Sequence, residues 1–170
     1  DAGAAITTAK FDPASTLTDV VYSAPSINKV FVRLGDLGVT RELTITNIGS
    51  EFGYALAAGN LDDDPEPELV VGAPRSNVDG ETDAGAIYVY DYDSATDEFT
   101  QTTMYTTSSP SASEKFGKTV AIAPWDATRN ILVVNDSRMP ETTHLIPRAD
   151  YNPKTPAVPH GMFAPQFGTP

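Results

Sequence analysis

The 170-residue chain has no cysteine, which excludes a disulfide framework and any thiolate metal site. Its two histidines, His144 and His160, form no His-rich zinc pattern and have no neighbours suited to a nucleophile–base pair. No apolar run approaches the ~20 residues that a membrane-spanning helix needs. Basic residues are scarce: 11 Lys and Arg stand against 23 Asp and Glu, for a formal net charge of −12 and a pI near 4.3. Such a charge repels phosphate backbones and argues against nucleic acid as a partner. It suits a cation-binding or very soluble surface protein. Helix signals are also nearly absent, and 14 Pro and 12 Gly spread along the chain work against long helices.

What remains is a globular composition, with 40% hydrophobic and 20% charged residues, enough for one ordinary core. The chain opens at Asp1 rather than Met, and the expectation is a processed or excised segment, with export open. Apolar residues come in short β-branched and aromatic runs separated by Gly, Pro, Asp, Asn and Ser. These predict an all-β chain. A first group of strands is expected over residues 4–10, 18–23, 29–34 and 41–47. A second is expected over 52–58, 68–72, 85–92 and 99–107, and a third begins with 116–123, 131–135 and 143–146. Ile87 and Val89 alternate with Tyr88 and Tyr90 as in an antiparallel strand.

These groups repeat. Val20-Val21-Tyr22-Ser23-Ala24-Pro25 parallels Leu69-Val70-Val71-Gly72-Ala73-Pro74, 49 residues later. Ser50-Glu51-Phe52-Gly53 recurs 64 residues on as Glu114-Lys115-Phe116-Gly117. Leu132-Val133-Val134-Asn135-Asp136 then stands where the Gly-Ala-Pro run belongs. A unit of about four strands at this period is the signature of a β-propeller blade. The expected division is residues 1–48, 49–110 and 111–148 as three blades. Residues 149–170, with Pro at 153, 156, 159, 165 and 170, are expected to form an extended tail or linker. In another reading Phe167-Gly168 opens a further blade of a longer array.

The stretch from Phe52 to Tyr92 resembles the FG-GAP repeat of integrin α-subunit β-propellers and related bacterial and eukaryotic surface proteins. In that family a Phe-Gly pair opens the blade, a calcium loop follows, and Gly-Ala-Pro closes the second strand. Residues 4–47 and 116–147 resemble degenerate copies. The resemblance implies a propeller module, usually of seven blades, for adhesion or scaffolding outside the cell. About three incomplete-ring blades do not close alone, since roughly four to eight are usual. A protein partner or further blades must then complete the ring, because open edge strands invite aggregation.

The family's calcium loop corresponds here to Asn60, Asp62 and Asp64 at its first, third and fifth positions. Glu66 follows with its backbone carbonyl at the seventh and Glu68 with a carboxylate at the ninth. Calcium takes six to eight oxygens at about 2.3–2.6 Å, and alternate positions of a tight loop can converge on one ion. Five carboxylates lie between Asp62 and Glu68, and their mutual repulsion is offset by a divalent cation. Asp63 is expected to face solvent. Three residues depart from the family pattern: Asn60 and Glu68 each replace an aspartate, and Pro65 replaces a glycine whose positive φ proline cannot adopt. In the first copy Phe11, Pro13 and Ser15 fall at ligand positions and Asp19 keeps its oxygen. In the third, Pro124, Asp126 and Thr128 make a poor set.

Other residues carry less. A single histidine on a strand, as at His144, reads as packing or surface. Tyr88, Tyr90, Tyr92 and Phe99 read as packing between blades, Trp125 as a candidate contact residue, and Asn135-Asp136-Ser137 as a chance glycosylation sequon. The expected function is a non-catalytic, calcium-binding extracellular or cell-surface module, with secretion or a periplasmic location open. One alternative is a structural subunit of a larger surface complex or filament, its Pro-rich tail docked on a neighbour. Another is the accessory propeller of a surface hydrolase.

Overall fold

A computed structural model describes residues 4–47, 49–62, 64–124, 130–137 and 143–147. It is all-β, with no α-helix among the described residues. The expected Asp63, Trp125, Asp126 and Thr128, His160 and the Pro-rich tail lie outside those residues.

Among the described residues, eleven strands form three antiparallel sheets in which sequence neighbours pair. The first holds β1 (Ile6–Ala9), β2 (Asp19–Ala24), β3 (Lys29–Leu34) and β4 (Val39–Thr44). The second holds β5 (Ala55–Gly59), β6 (Glu68–Ala73), β7 (Ala86–Asp93) and β8 (Glu98–Tyr105). The third holds β9 (Thr119–Pro124), β10 (Asn130–Asn135) and β11 (Thr143–Pro147). Strand β5 lies beside both β1 and β9, so the sheets are stacked face to face with their first strands adjacent. That is the arrangement of consecutive propeller blades.

The stacking follows from side-chain alternation. Leu69 and Val71 of β6, with Tyr88, Tyr90 and Tyr92 of β7, pack with Val21, Val30, Val32 and Leu34 of the first sheet. The intervening Val70, Ile87 and Val89 pack with Val120, Leu132, Val134 and Ile146 of the third. The middle sheet is therefore apolar on both faces, and every residue of β6 is buried. Tyr92, Phe99 and Phe11 form an aromatic group, with Phe99 5.0 Å from each of the other rings. Fully burying one such ring stabilises by about 1.5–3 kcal/mol.

The Phe-Gly pairs stand in turns before β5 and β9 rather than inside strands, which shortens both strands relative to expectation. Gly53 has φ 93° and Gly117 φ 84°, a left-handed backbone that no strand contains. Each turn is closed alike: Gly53 N–H donates to Gly72 O at 3.0 Å, and Gly117 N–H to Asn135 O at 3.2 Å. The residues before the phenylalanines, Glu51 and Lys115, also have positive φ, 55° and 57°. Each turn is pinned to the preceding sheet. Phe52 N–H donates to Asn28 Oδ1 at 3.1 Å, and Phe116 N–H to Ala84 O at 2.9 Å. A β-carbon on Gly72 would lie 2.1 Å from Gly117 O, so glycine there lets the next turn seat against the sheet.

Candidate metal site

The acidic loop joins β5 to β6 and is shaped by its own carboxylates. Asp62 Oδ1 accepts the Asp64 N–H at 2.9 Å, and Asp64 Oδ1 accepts the Glu66 N–H at 3.1 Å. Two consecutive Asx turns bend the chain where the family pattern has a glycine. None of residues 60–62 and 64–68 has a positive φ, which is how Pro65 is accommodated. Glu68, the first residue of β6, turns inward and accepts the Leu61 N–H through Oε2. Asn130 Nδ2 donates to Asn60 O at 2.8 Å, tying the loop to the third sheet.

Carboxylate oxygens of Asp62, Asp64 and Glu68 all lie within 4.8 Å of one another. The Asn60 side-chain amide reaches the Asp64 carbonyl and lies 3.5 Å from the Glu66 carbonyl. Of the five residues expected from the sequence, the structure brings the carboxylates of Asp62, Asp64 and Glu68 together, while Asn60 contacts the backbone carbonyls of Asp64 and Glu66 through its amide nitrogen. Glu68 is 1% exposed. Burial pushes its carboxyl up to about 8, against the Leu61 N–H, with Asp62, Asp91 and Asp64 adding to the rise. Asp64 is pushed up to about 6 by desolvation and then by Asp62 and Glu66. Both shifts describe negative charges crowded together in a partly dry place. The donor set is all oxygen once the Asn60 amide presents its Oδ1, and it fits a hard divalent cation.

The corresponding loop of the first sheet corrects the expected alignment. Phe11 N–H donates to Asp19 Oδ2 at 3.0 Å, so Phe11 matches Leu61 rather than Asn60. Asp12 Oδ1 accepts the Ala14 N–H at 2.8 Å, as Asp62 does for Asp64. The loop is one residue longer, which ungapped spacing did not reveal. Its carboxylates meet N–H donors: Asp19 Oδ1 accepts from Gly35 N at 2.8 Å. Asp36 accepts from the Thr16 and Leu17 N–H groups at 2.6 and 3.1 Å. Hydrogen bonds from Ser15 and Thr16 hold the Asp36 carboxyl below its ordinary value.

A second grouping was not foreseen. His144, read as packing or surface, lies with Nε2 3.0 Å from Asp136 Oδ2, and Glu114 completes a cluster within 4.8 Å. Asp136 directly follows β10, His144 stands eight residues on in the paired β11, and Glu114 lies in the loop before β9, so only the folded sheet brings the three together.

Residues 52–90 match the family model of the FG-GAP repeat. Over 95 residues the chain is 28% identical to integrin alpha-PS2 of Drosophila melanogaster. That match covers 54% of this chain and 7% of the fly protein, so the chain spans a small fraction of that relative. With its Phe-Gly turn, its acidic loop and the Gly-Ala run at the end of β6 in place, the stretch 52–90 is similar to the FG-GAP repeat, and the chain is similar in part to an integrin α-subunit.

Proposed function

We propose that the chain is a non-catalytic, calcium-stabilised part of a β-propeller that acts in adhesion or protein–protein interaction at the cell surface or outside the cell. The convergence of Asp62, Asp64 and the buried Glu68 on one point supports the calcium assignment. A bound divalent cation supplies positive charge that offsets their repulsion. Asp62 and Asp64 hold the turn through their Asx hydrogen bonds, and Glu68 anchors the site to β6 through Leu61. The cation role is structural: it fixes the link between the first two strands of the middle blade. We assign the blades to residues 1–48, 49–110 and 111–148, with 149–170 an extended arm. Titrating calcium into chelator-stripped protein while following the melting temperature tests the reading. Saturable stabilisation, reduced in Asp64→Asn, is expected; an unchanged transition in excess chelator overturns it.

A second reading, a structural subunit completed by neighbouring blades, is favoured by one face of the first sheet. In the middle sheet Leu69 and Val71 are covered by a neighbour. Their counterparts in the first sheet are Val20, 39% exposed, and the half-buried Tyr22. Tyr22 stacks on Phe31 at 5.2 Å, and Ile6 beside them is 67% exposed. This apolar face is matched to another blade, from the same chain or from a partner. Measuring the mass of the purified chain in solution separates the cases: a stable monomer at high concentration counts against assembly in trans.

A further inference from the structure

The cluster beside β11 is built into a position that the middle sheet also possesses. Equivalent turn closures match Gly72 with Asn135, and hence Ala73 with Asp136. The pairs Val71↔Tyr88 and Val134↔His144 match Tyr88 with His144, and the repeated Phe-Gly turn matches Ser50 with Glu114. The phenylalanines confirm the match. Phe52 meets Tyr88 edge-on at 5.7 Å and 78°, and Phe116 meets His144 edge-on at 5.3 Å and 78°.

In the middle sheet this place holds Ser50, Ala73 and Tyr88, all buried and none of them a carboxylate or an imidazole. They satisfy the packing that the blade requires. The third sheet has Glu114, Asp136 and His144 instead, with Glu114 1% and Asp136 2% exposed. Three separate segments have each placed a metal-ligating group at one point where the fold itself accepts Ser, Ala and Tyr. Buried carboxylates are costly to place without chemical need.

We propose that Glu114, Asp136 and His144 bind a divalent first-row transition metal ion, with zinc as its representative, at the junction of the middle and third sheets. Imidazole nitrogen and carboxylate oxygen are ligands that zinc takes at about 2.0–2.2 Å. Two such ligands on a tetrahedral centre stand roughly 3.3 Å apart, close to the 3.0 Å between His144 Nε2 and Asp136 Oδ2. An imidazole in the set favours zinc over calcium, whose ligands are oxygens. The Ser111 N–H and hydroxyl donate to Glu114 Oε2 at 3.0 and 3.2 Å, orienting that carboxylate as outer partners of metal ligands do. The His144 side chain is 12% exposed, which leaves an approach from solvent. This site is independent of the acidic loop.

The test uses the whole chain, stripped with chelator and returned to chelator-free buffer near neutral pH. Zinc is titrated by calorimetry, and cobalt(II) is followed by its visible absorption. One zinc per chain is expected, with a raised melting temperature and cobalt bands that zinc abolishes. His144→Tyr, which installs the middle sheet's residue, and the near-isosteric Glu114→Gln should each weaken zinc binding about tenfold or more. His160→Gln should leave it unchanged. Absence of saturable zinc binding overturns the proposal, and so does binding that survives both cluster variants or depends on His160. If His144→Tyr does not fold, Glu114→Gln decides the question with the same readouts.

Discussion

Glu68 and Leu61 are joined across the mouth of the acidic loop, the buried carboxylate of one accepting the backbone N–H of the other. Asp19 and Phe11 repeat the relationship in the first sheet at 3.0 Å. In both, the first residue of the second strand holds down an apolar residue of the preceding loop, and Leu61 and Phe11 are 2% and 0% exposed. The carboxylate therefore has a part in folding the blade as well as in the candidate metal site.

That double part predicts opposite effects of Glu68→Gln. The amide still accepts the Leu61 N–H but carries no charge. With chelator near pH 8 the variant should melt higher than the parent protein. With saturating calcium it should melt lower. Paired thermal scans check this crossing of the two orders, and a variant that lowers the transition equally in both conditions sinks it.

The pH dependence of the cation-free protein follows from the same group. Folded Glu68 holds its proton up to about pH 8, whereas the unfolded chain releases it near 4.5. Across that window the folded state binds more protons, so stability falls as pH rises. Asp64 adds a smaller fall between about 3.8 and 6. Urea unfolding in chelator from pH 5 to 8.5 should show a loss of a few kcal/mol. Calcium should remove most of that slope.

Truncating the Phe-Gly turn tests the stacking of sheets. Phe52 is fully buried, packed edge-on to Tyr88 at 5.7 Å and Tyr90 at 6.2 Å. Phe52→Ala should cost about 3–5 kcal/mol. Denaturant titration at fixed calcium measures it.

Gly72→Ala probes the same junction from the other side. Its new methyl would meet the Gly117 carbonyl at 2.1 Å and the Ala55 β-carbon at 3.3 Å. Backbone must move, so a loss of about 1–3 kcal/mol is expected. Gly80→Ala supplies the comparison, since it has open space around it but a φ of 88°. Its loss reflects backbone strain without a clash, and Gly72→Ala should exceed it.

The uncovered face of the first sheet predicts a change in association without a change in fold. Ile6→Lys with Val20→Lys places charge at two exposed positions. Sedimentation should show less self-association or weaker partner capture, while the melting temperature moves little. Unaltered association in the double variant removes that face from the assembly reading.

Much of this architecture was legible because it is local and periodic. Alternation in Ile87-Tyr88-Val89-Tyr90 is enough to assign two faces to β7, and the runs before Pro25 and Pro74 mark equivalent strands. The grouping of Asp62, Asp64 and Glu68 was legible because a short loop between paired strands can point alternate residues at one place. Strand ends were less so. Phe52-Gly53 reads as the start of a strand, but the left-handed Gly53 makes it a turn. The loop after β1 misaligned by one residue, because the insertion shows only in which N–H meets the buried Asp19.

By itself, then, the sequence determined an all-β chain of repeated sheets and the acidic residues that gather between β5 and β6. Local hydrogen-bonding rules and side-chain periodicity carry that information. Tertiary structure alone decided what each repeat presents to the next. It covered both faces of the middle sheet, left Ile6 and Val20 open on the first, and brought Glu114, Asp136 and His144 within 4.8 Å. Such contacts are set by the stacking of whole sheets, and nothing in the spacing of residues along one strand encodes the distance to a side chain on another.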